Sequence, residues 1–190
     1  MSLVNILFLG APILERAGQR VNVDTRKAIA LLAYLASVQR PVSRATLAAL
    51  LWPNYDHKRA AANLRRTLWS VHAVLGEGTL EVGSDLVALA GSAAGVYVDV
   101  VEYQRLVAQT GSHGHGVGEV CEACLAPLVE AVSLVRGDFL EGFTLSDSVE
   151  FDDWQSLTTA SLHNSLADSL RRLVAIQIRM GSLDAAKVTA

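Results

Sequence analysis

Apolar positions repeat along this chain with a period that changes from segment to segment, and each change marks an element. Residues 3–9, LVNILFL, are an apolar, β-rich run. Gly10, Pro12 and Gly18 punctuate the next stretch, and residues 20–23 read as a second short strand. Thr25 is placed to cap a helix over residues 27–38, where Ile29, Leu31, Leu32, Tyr34 and Leu35 make a broad buried face. Ser43 caps a second helix over 44–51 with Leu47, Leu50 and Leu51 inward, and Trp52-Pro53-Asn54 stops it. Asp56 caps a third helix reaching residue 75. There Leu64, Leu68, Val71 and Leu75 recur at i, i+4, i+7 and i+11, a core stripe. Gly76 and Gly78 end it. Residues 80–82 and 86–89 then read as a hairpin around Gly83-Ser84-Asp85.

Beyond Gly95 the pattern turns helical. Residues 98–108 predict an amphipathic helix, and 109–118, QTGSHGHGVG, a Gly-rich loop. Residues 121–135 predict another helix with Leu125, Leu128, Val132 and Val135 inward. Residues 148–180 hold one long helix or two, with Leu157, Leu162, Leu166, Leu170, Leu173 and Ile176 on the apolar side. A last helix starts at Leu183 and reaches Ala190 without a cap, so the expected helical unit is truncated, incomplete at its C-terminus.

The 190 residues suffice for one large or two small domains. Hydrophobic content of 51% and mean hydropathy of +0.32 exclude a disordered chain. No apolar run is long enough to span a membrane, and the N-terminus lacks the basic start of a signal peptide, so a cytoplasmic protein is expected. Charge divides the chain. Residues 1–96 carry +4 and residues 97–190 carry −7, for the net −3. That asymmetry suggests two domains, 1–96 and 97–190, with different partners.

The cations of the first half gather on the third helix. At about 100° per residue, Lys58, Arg59 and Arg66 lie roughly 120° to 220° from Leu64, so they face away from the core, as Arg65 also does. Ala62 keeps the middle of that face small, and Trp69 projects toward it. Strands, three helices and a hairpin in this order describe a winged helix-turn-helix. Its third helix fits a major groove and its second braces it across the backbone. The alternative is a small helical domain with a solvated basic face.

Several longer stretches stand out in the first half: FLGAP (8–12), TRKAIALLAYLA (25–36), VSRATLAALLWP (42–53), RAAANLRRTLWSVHAVLG (59–76) and VDVVEYQRL (98–106). Through them the chain resembles the Streptomyces antibiotic regulatory protein type of transcriptional activator. The first half is similar to the OmpR/PhoB-type winged helix. The second half is similar to the tetratricopeptide-like bacterial transcriptional activator domain, through AVSLVRGDFLEGF (131–143), DSVEFDDW (147–154) and GSLDAA (181–186). The resemblance implies a fold mainly α with small β-sheets. It implies an activator that binds direct repeats in double-stranded DNA, self-associates there and contacts RNA polymerase. It also implies that the helix carrying Arg59, Asn63, Arg65 and Arg66 is the recognition helix. Arginine suits guanine or phosphate, and Asn63 could read adenine. Arg26, Lys27 and Arg44, near helix starts, could hold phosphates, an ion pair being the alternative for Arg26. Trp52 could touch DNA or pack in the core. No G-x-x-x-x-G-K-[ST] loop is present.

One cluster stands outside that resemblance. His113, His115, Cys121 and Cys124 form H-x-H-x5-C-x2-C, a donor set that tetrahedral zinc accepts. Two core cysteines beside a Gly/His loop, or a redox pair, are the rival readings. No catalytic motif such as G-x-S-x-G or H-E-x-x-H occurs, and no enzyme is expected. Asp138, Glu141, Asp147, Glu150, Asp152 and Asp153 read as helix-capping and solvated acids, with Asp147 and Ser148 where a cap is needed. Two alternatives to the activator remain: a protein-binding helical scaffold, or a zinc- or redox-responsive sensor acting through the His113–Cys124 loop.

Overall fold

The computed structural model describes residues 3–112, 114 and 120–189. Its first strand, β1 (Val4–Leu7), turns back as β2 (Ile13–Arg16) and β3 (Gln19–Arg20). Val4 and Ile6 face the core because alternate strand positions share a face. Gly10 sits between β1 and β2 at φ +129°, and a Cβ there would lie 3.2 Å from Cβ of Arg136. Only glycine meets both conditions.

Three capped helices come next. The Thr25 hydroxyl accepts the Ala28 N–H at the start of α1 (Arg26–Val38). A short strand, β4 (Val42–Ser43), runs directly into α2 (Arg44–Leu51), where Ser43 Oγ accepts the Thr46 N–H at 3.0 Å. Asp56 caps α3 (His57–Leu75), which buries Leu64, Leu68, Val71 and Leu75 as its apolar period requires. Each such leucine contributes about 1.5–3 kcal/mol of burial. The hairpin β5 (Leu80–Val82) and β6 (Leu86–Leu89) pairs with β4 in the order β4-β6-β5.

The chain then re-enters the first sheet. β7 (Val96–Val98) lies parallel to β1, Val4 opposite Val96, giving the order β3-β2-β1-β7. It continues without a loop into α4 (Asp99–Gln109). Beyond it lie α5 (Leu125–Ser133), α6 (Val149–Arg179) and α7 (Leu183–Thr189). The described part is mainly helical with small sheets, and none of its helices is long and apolar enough to cross a membrane.

Several sequence expectations change in detail. β2, β4 and β7 add to the expected strands, and the strand expected at 20–23 is only Gln19–Arg20. The helix expected from 121 opens as a 3-10 turn, Glu122–Cys124, and becomes α-helical at Leu125. Pro127 has no N–H to bond a carbonyl four residues back, so it fits only in a first turn. Residues 149–179 form one helix, yet Leu157, expected inward, is 74% exposed. It lies about 140° around the helix from the buried Leu162.

One buried cluster runs from β1 through α1, α2 and α3 to α4, and on to Phe139, Phe143 and Phe151. A smaller one, Cys124, Leu128, Leu173 and Ile176, packs α5 on α6. Polar contacts join the same segments. Asp99, the first residue of α4, accepts N–H bonds from Phe8 at 2.7 Å and Leu9 at 2.9 Å, and Arg136 lies 3.5 Å away. Ser148 caps α6 and donates its hydroxyl to the Leu50 carbonyl at 2.6 Å, tying α6 to α2.

Candidate nucleic-acid interface

Local sequence sets up α3 as a presented helix. The Asp56 carboxylate accepts the N–H groups of Lys58 and Arg59, both at 3.0 Å, and so satisfies the orphan donors of the first turn. The core stripe fixes the helix's rotation about its axis. Lys58, Arg59, Arg65 and Arg66 are exposed as a result, with Ala62 and Asn63 half-buried beside them. Trp69 is 72% exposed one turn further on.

These cations are hardly engaged by the chain. Among the described residues, the side chains of Lys58, Asn63, Arg65 and Arg66 make no hydrogen bond or ion pair. Arg59 has only Asp56, at 3.9 Å and exposed. An ion pair of that kind contributes little and is readily exchanged. Asn63 and Arg66 also line a small cavity of about 170 Å³ with Thr25, Lys27 and Trp52, where α3 meets the start of α1 and the end of α2. The face thus combines open positive charge, one amide, one large exposed ring and a recess.

The other three expected contacts have different surroundings. Arg44 donates from Nε to the Gly83 carbonyl at 3.1 Å, and its N–H bonds the Asp85 carbonyl at 2.8 Å. It therefore clips the hairpin turn to the start of α2. Arg26 donates from Nε and Nη2 to the Thr144 carbonyl at 2.9 and 2.6 Å, with its guanidinium 4.5 Å from the Phe143 ring centre. Among the described residues Arg26 makes no ion pair, and its guanidinium stays exposed. The Lys27 ammonium is mostly buried, bonds the Leu51 carbonyl and pairs with Asp147 at 2.6 Å. Both side chains are held by the segment that precedes α6, which sequence spacing could not bring to them. Trp52 is buried beneath Lys27, 5.9 Å from its ammonium.

Three of the six acids named in the second half make specific contacts. Asp152 accepts the Leu145 N–H at 2.8 Å, Asp138 lies 2.8 Å from the His163 ring nitrogen, and Asp147 holds Lys27. The residue sequence reading missed is Asp99. An acid between two valines in VDVV, set at a strand-to-helix junction, is the signal that marks it. Burial pushes its carboxyl above the ordinary 3.8, against the pull of the N–H bonds and Arg136.

His113 and His115 lie outside the described residues. Cys124 is buried and Cys121 half-buried, with their Sγ atoms 3.7 Å apart. Cys124 Sγ also stands 3.7 Å from the Thr110 carbonyl. Among the described residues no group of three or more His, Cys, Asp or Glu side chains could hold a metal ion.

No family model and no curated protein matches the sequence. Among solved structures the fold is similar to Mycobacterium tuberculosis EmbR, in a complex with a low-affinity phosphopeptide, at a TM-score of 0.68 and 19% identity. The likeness covers 97% of this chain and 48% of that one, so the chain spans about half the length of its structural neighbour. At that identity the fold is what the two proteins share: small sheets and successive helices in one arrangement, here with an open row of cations on α3.

Proposed function

We propose that this chain is a sequence-specific DNA-binding transcriptional activator. Residues 1–96 act as a winged helix-turn-helix, and residues 97–190 as a tetratricopeptide-like activator domain that meets RNA polymerase or a second copy on direct repeats. The observation that carries the reading is the row of exposed, almost unengaged cations on α3, in a chain whose net charge is −3. A helix about 10–12 Å across fits the major groove, and free guanidinium groups suit guanine edges and phosphates there. Arg59, Asn63 and Arg66 read bases, Lys58 and Arg65 hold phosphates, and Ala62 lets the helix approach. Trp69 packs at the groove edge. Arg44 acts from the side by fixing the hairpin turn, while Arg26 and Lys27 shape the interface from behind by holding the segment before α6. A selection from random duplexes tests this. It is expected to enrich a direct repeat whose affinity falls steeply with salt. No enriched site would favour the protein-binding scaffold.

A second reading concerns the cysteines. Two thiolates about 2.3 Å from one tetrahedral zinc are set roughly 3.7 Å apart, and Cys121 and Cys124 stand at that separation. We propose a structural zinc held by both thiolates, with His113 and His115 as the further ligands. Elemental analysis of protein purified without a histidine tag is expected to find about one zinc per chain. The Cys121→Ser/Cys124→Ser variant is expected to lose it and to melt at lower temperature. Metal-free protein with two titratable thiols would leave the redox pair as the reading.

A further inference from the structure

A second cavity lies away from α3. It holds about 390 Å³ between the last turn of α1, the hairpin, β7 and the first turns of α4. Leu35, Ala90, Val98 and Val101 give it an apolar wall. Protein interiors pack to crystal-like density, so an apolar recess of this size where four elements meet is unusual for packing alone. It falls within the roughly 300–1,000 Å³ range of small-molecule sites, which favour junctions between structural units.

The rim defines the chemistry of an occupant. Glu102 and Arg105 neutralise each other through bonds of 2.6 and 2.8 Å, and Arg40 and Glu81 at the mouth carry opposite charges. No net charge is left to select an ion. Tyr97 also lines the cavity, and its hydroxyl makes no hydrogen bond among the described residues. Burial first, then Asp99, Glu102 and Glu130, push its pKa up to about 12, so the phenol keeps its proton as a donor. We propose that this cavity is a binding site for an uncharged, mostly apolar small molecule carrying a hydrogen-bond acceptor, for which Tyr97 is the donor.

An occupant there touches the hairpin on one side and α4 on the other. The hairpin's far end, Gly83 and Asp85, is clipped to α2 by Arg44, so the site is mechanically linked to the DNA-facing helices. That link, unlike the site, rests on the DNA-binding reading.

Nile red, an uncharged dye with a carbonyl acceptor, is a suitable probe for titration into the full chain. Saturable emission at one site per chain is expected. Ala88→Trp, at the half-buried mouth, is expected to weaken it at least about tenfold with an unchanged circular dichroism spectrum. Val101→Phe fills the opposite wall and stands in should Ala88→Trp fail to fold. Tyr97→Phe should bind more weakly and shift the emission maximum. Emission that does not saturate, or that is the same in both filled variants, overturns the site. Probe binding that leaves duplex affinity unchanged removes the link to the hairpin. A chain that binds the probe but no duplex overturns the DNA reading and leaves the site standing.

Discussion

Replacing Arg59 and Arg66 together by alanine is expected to lower affinity for the selected duplex about 100-fold while leaving the melting temperature unchanged. Each arginine that reads a base edge contributes about 1–3 kcal/mol, so two removed together reach this range. The slope of log affinity against log salt is expected to change little, because both arginines are assigned to base edges and the phosphate contacts of Lys58 and Arg65 remain. Stability should hold because both side chains are exposed, and Asp56 at 3.9 Å is the only ionic partner of Arg59 among the described residues. Arg171→Ala removes an exposed cation from α6, paired only loosely with Asp168 at 3.9 Å, and serves as the control. Duplex binding unchanged in the double variant would show that α3 is not the reading helix.

That helix is legible in sequence because three local signals agree along it. An acid cap, an apolar period and a run of cations out of phase with that period fix its start, its rotation and its open face. The caps Thr25, Ser43 and Ser148 are equally local, and each helix begins where its cap directs. Whatever depends on pairing across the chain is not legible. β7 is three residues whose strand identity comes from β1, more than ninety positions earlier. The 98–108 segment reads as helix throughout when its neighbour in the sheet is unknown. Leu157 shows the reverse case: a leucine on a long helix reads as core, yet among the described residues it stays 74% exposed.

The interface is legible in part for the same reason. Residues Lys58 to Trp69 share one helix, so sequence alone places them together. Arg26 and Lys27 stand at a helix start, which suggests phosphate contacts, but their side chains are decided by Thr144 and Asp147, some 120 positions away. Their contacts tie α1 and the end of α2 to the segment that leads into α6. Residue 96, the boundary drawn from charge, is also the first residue of β7. The basic and acidic halves therefore share a sheet and a core even where their surfaces differ in charge.

Asp99→Ala is expected to be the most destabilising single change in this joint, lowering the free energy of unfolding by about 3–5 kcal/mol. Asp99 is 2% exposed, and its carboxylate accepts the N–H groups of Phe8, Leu9 and Val100 within 2.9 Å. Alanine leaves the Phe8 and Leu9 donors buried without that acceptor and leaves the Arg136 guanidinium, 3.5 Å away, without its carboxylate. Asn keeps one acceptor oxygen and should lose about half as much. The pH dependence has a definite sign. Burial raises the Asp99 carboxyl above 3.8, so the folded chain holds this proton more tightly than the unfolded chain does. Its titration therefore favours the fold most below the unfolded pKa. That contribution declines as pH rises through the raised folded value and is constant above it. Urea midpoints across acid pH should thus show the wild-type advantage over Asp99→Asn shrinking toward neutrality. An Asp99→Ala midpoint equal to wild type would mean that the first sheet and α4 are held by apolar packing alone, and that the carboxylate between them is incidental.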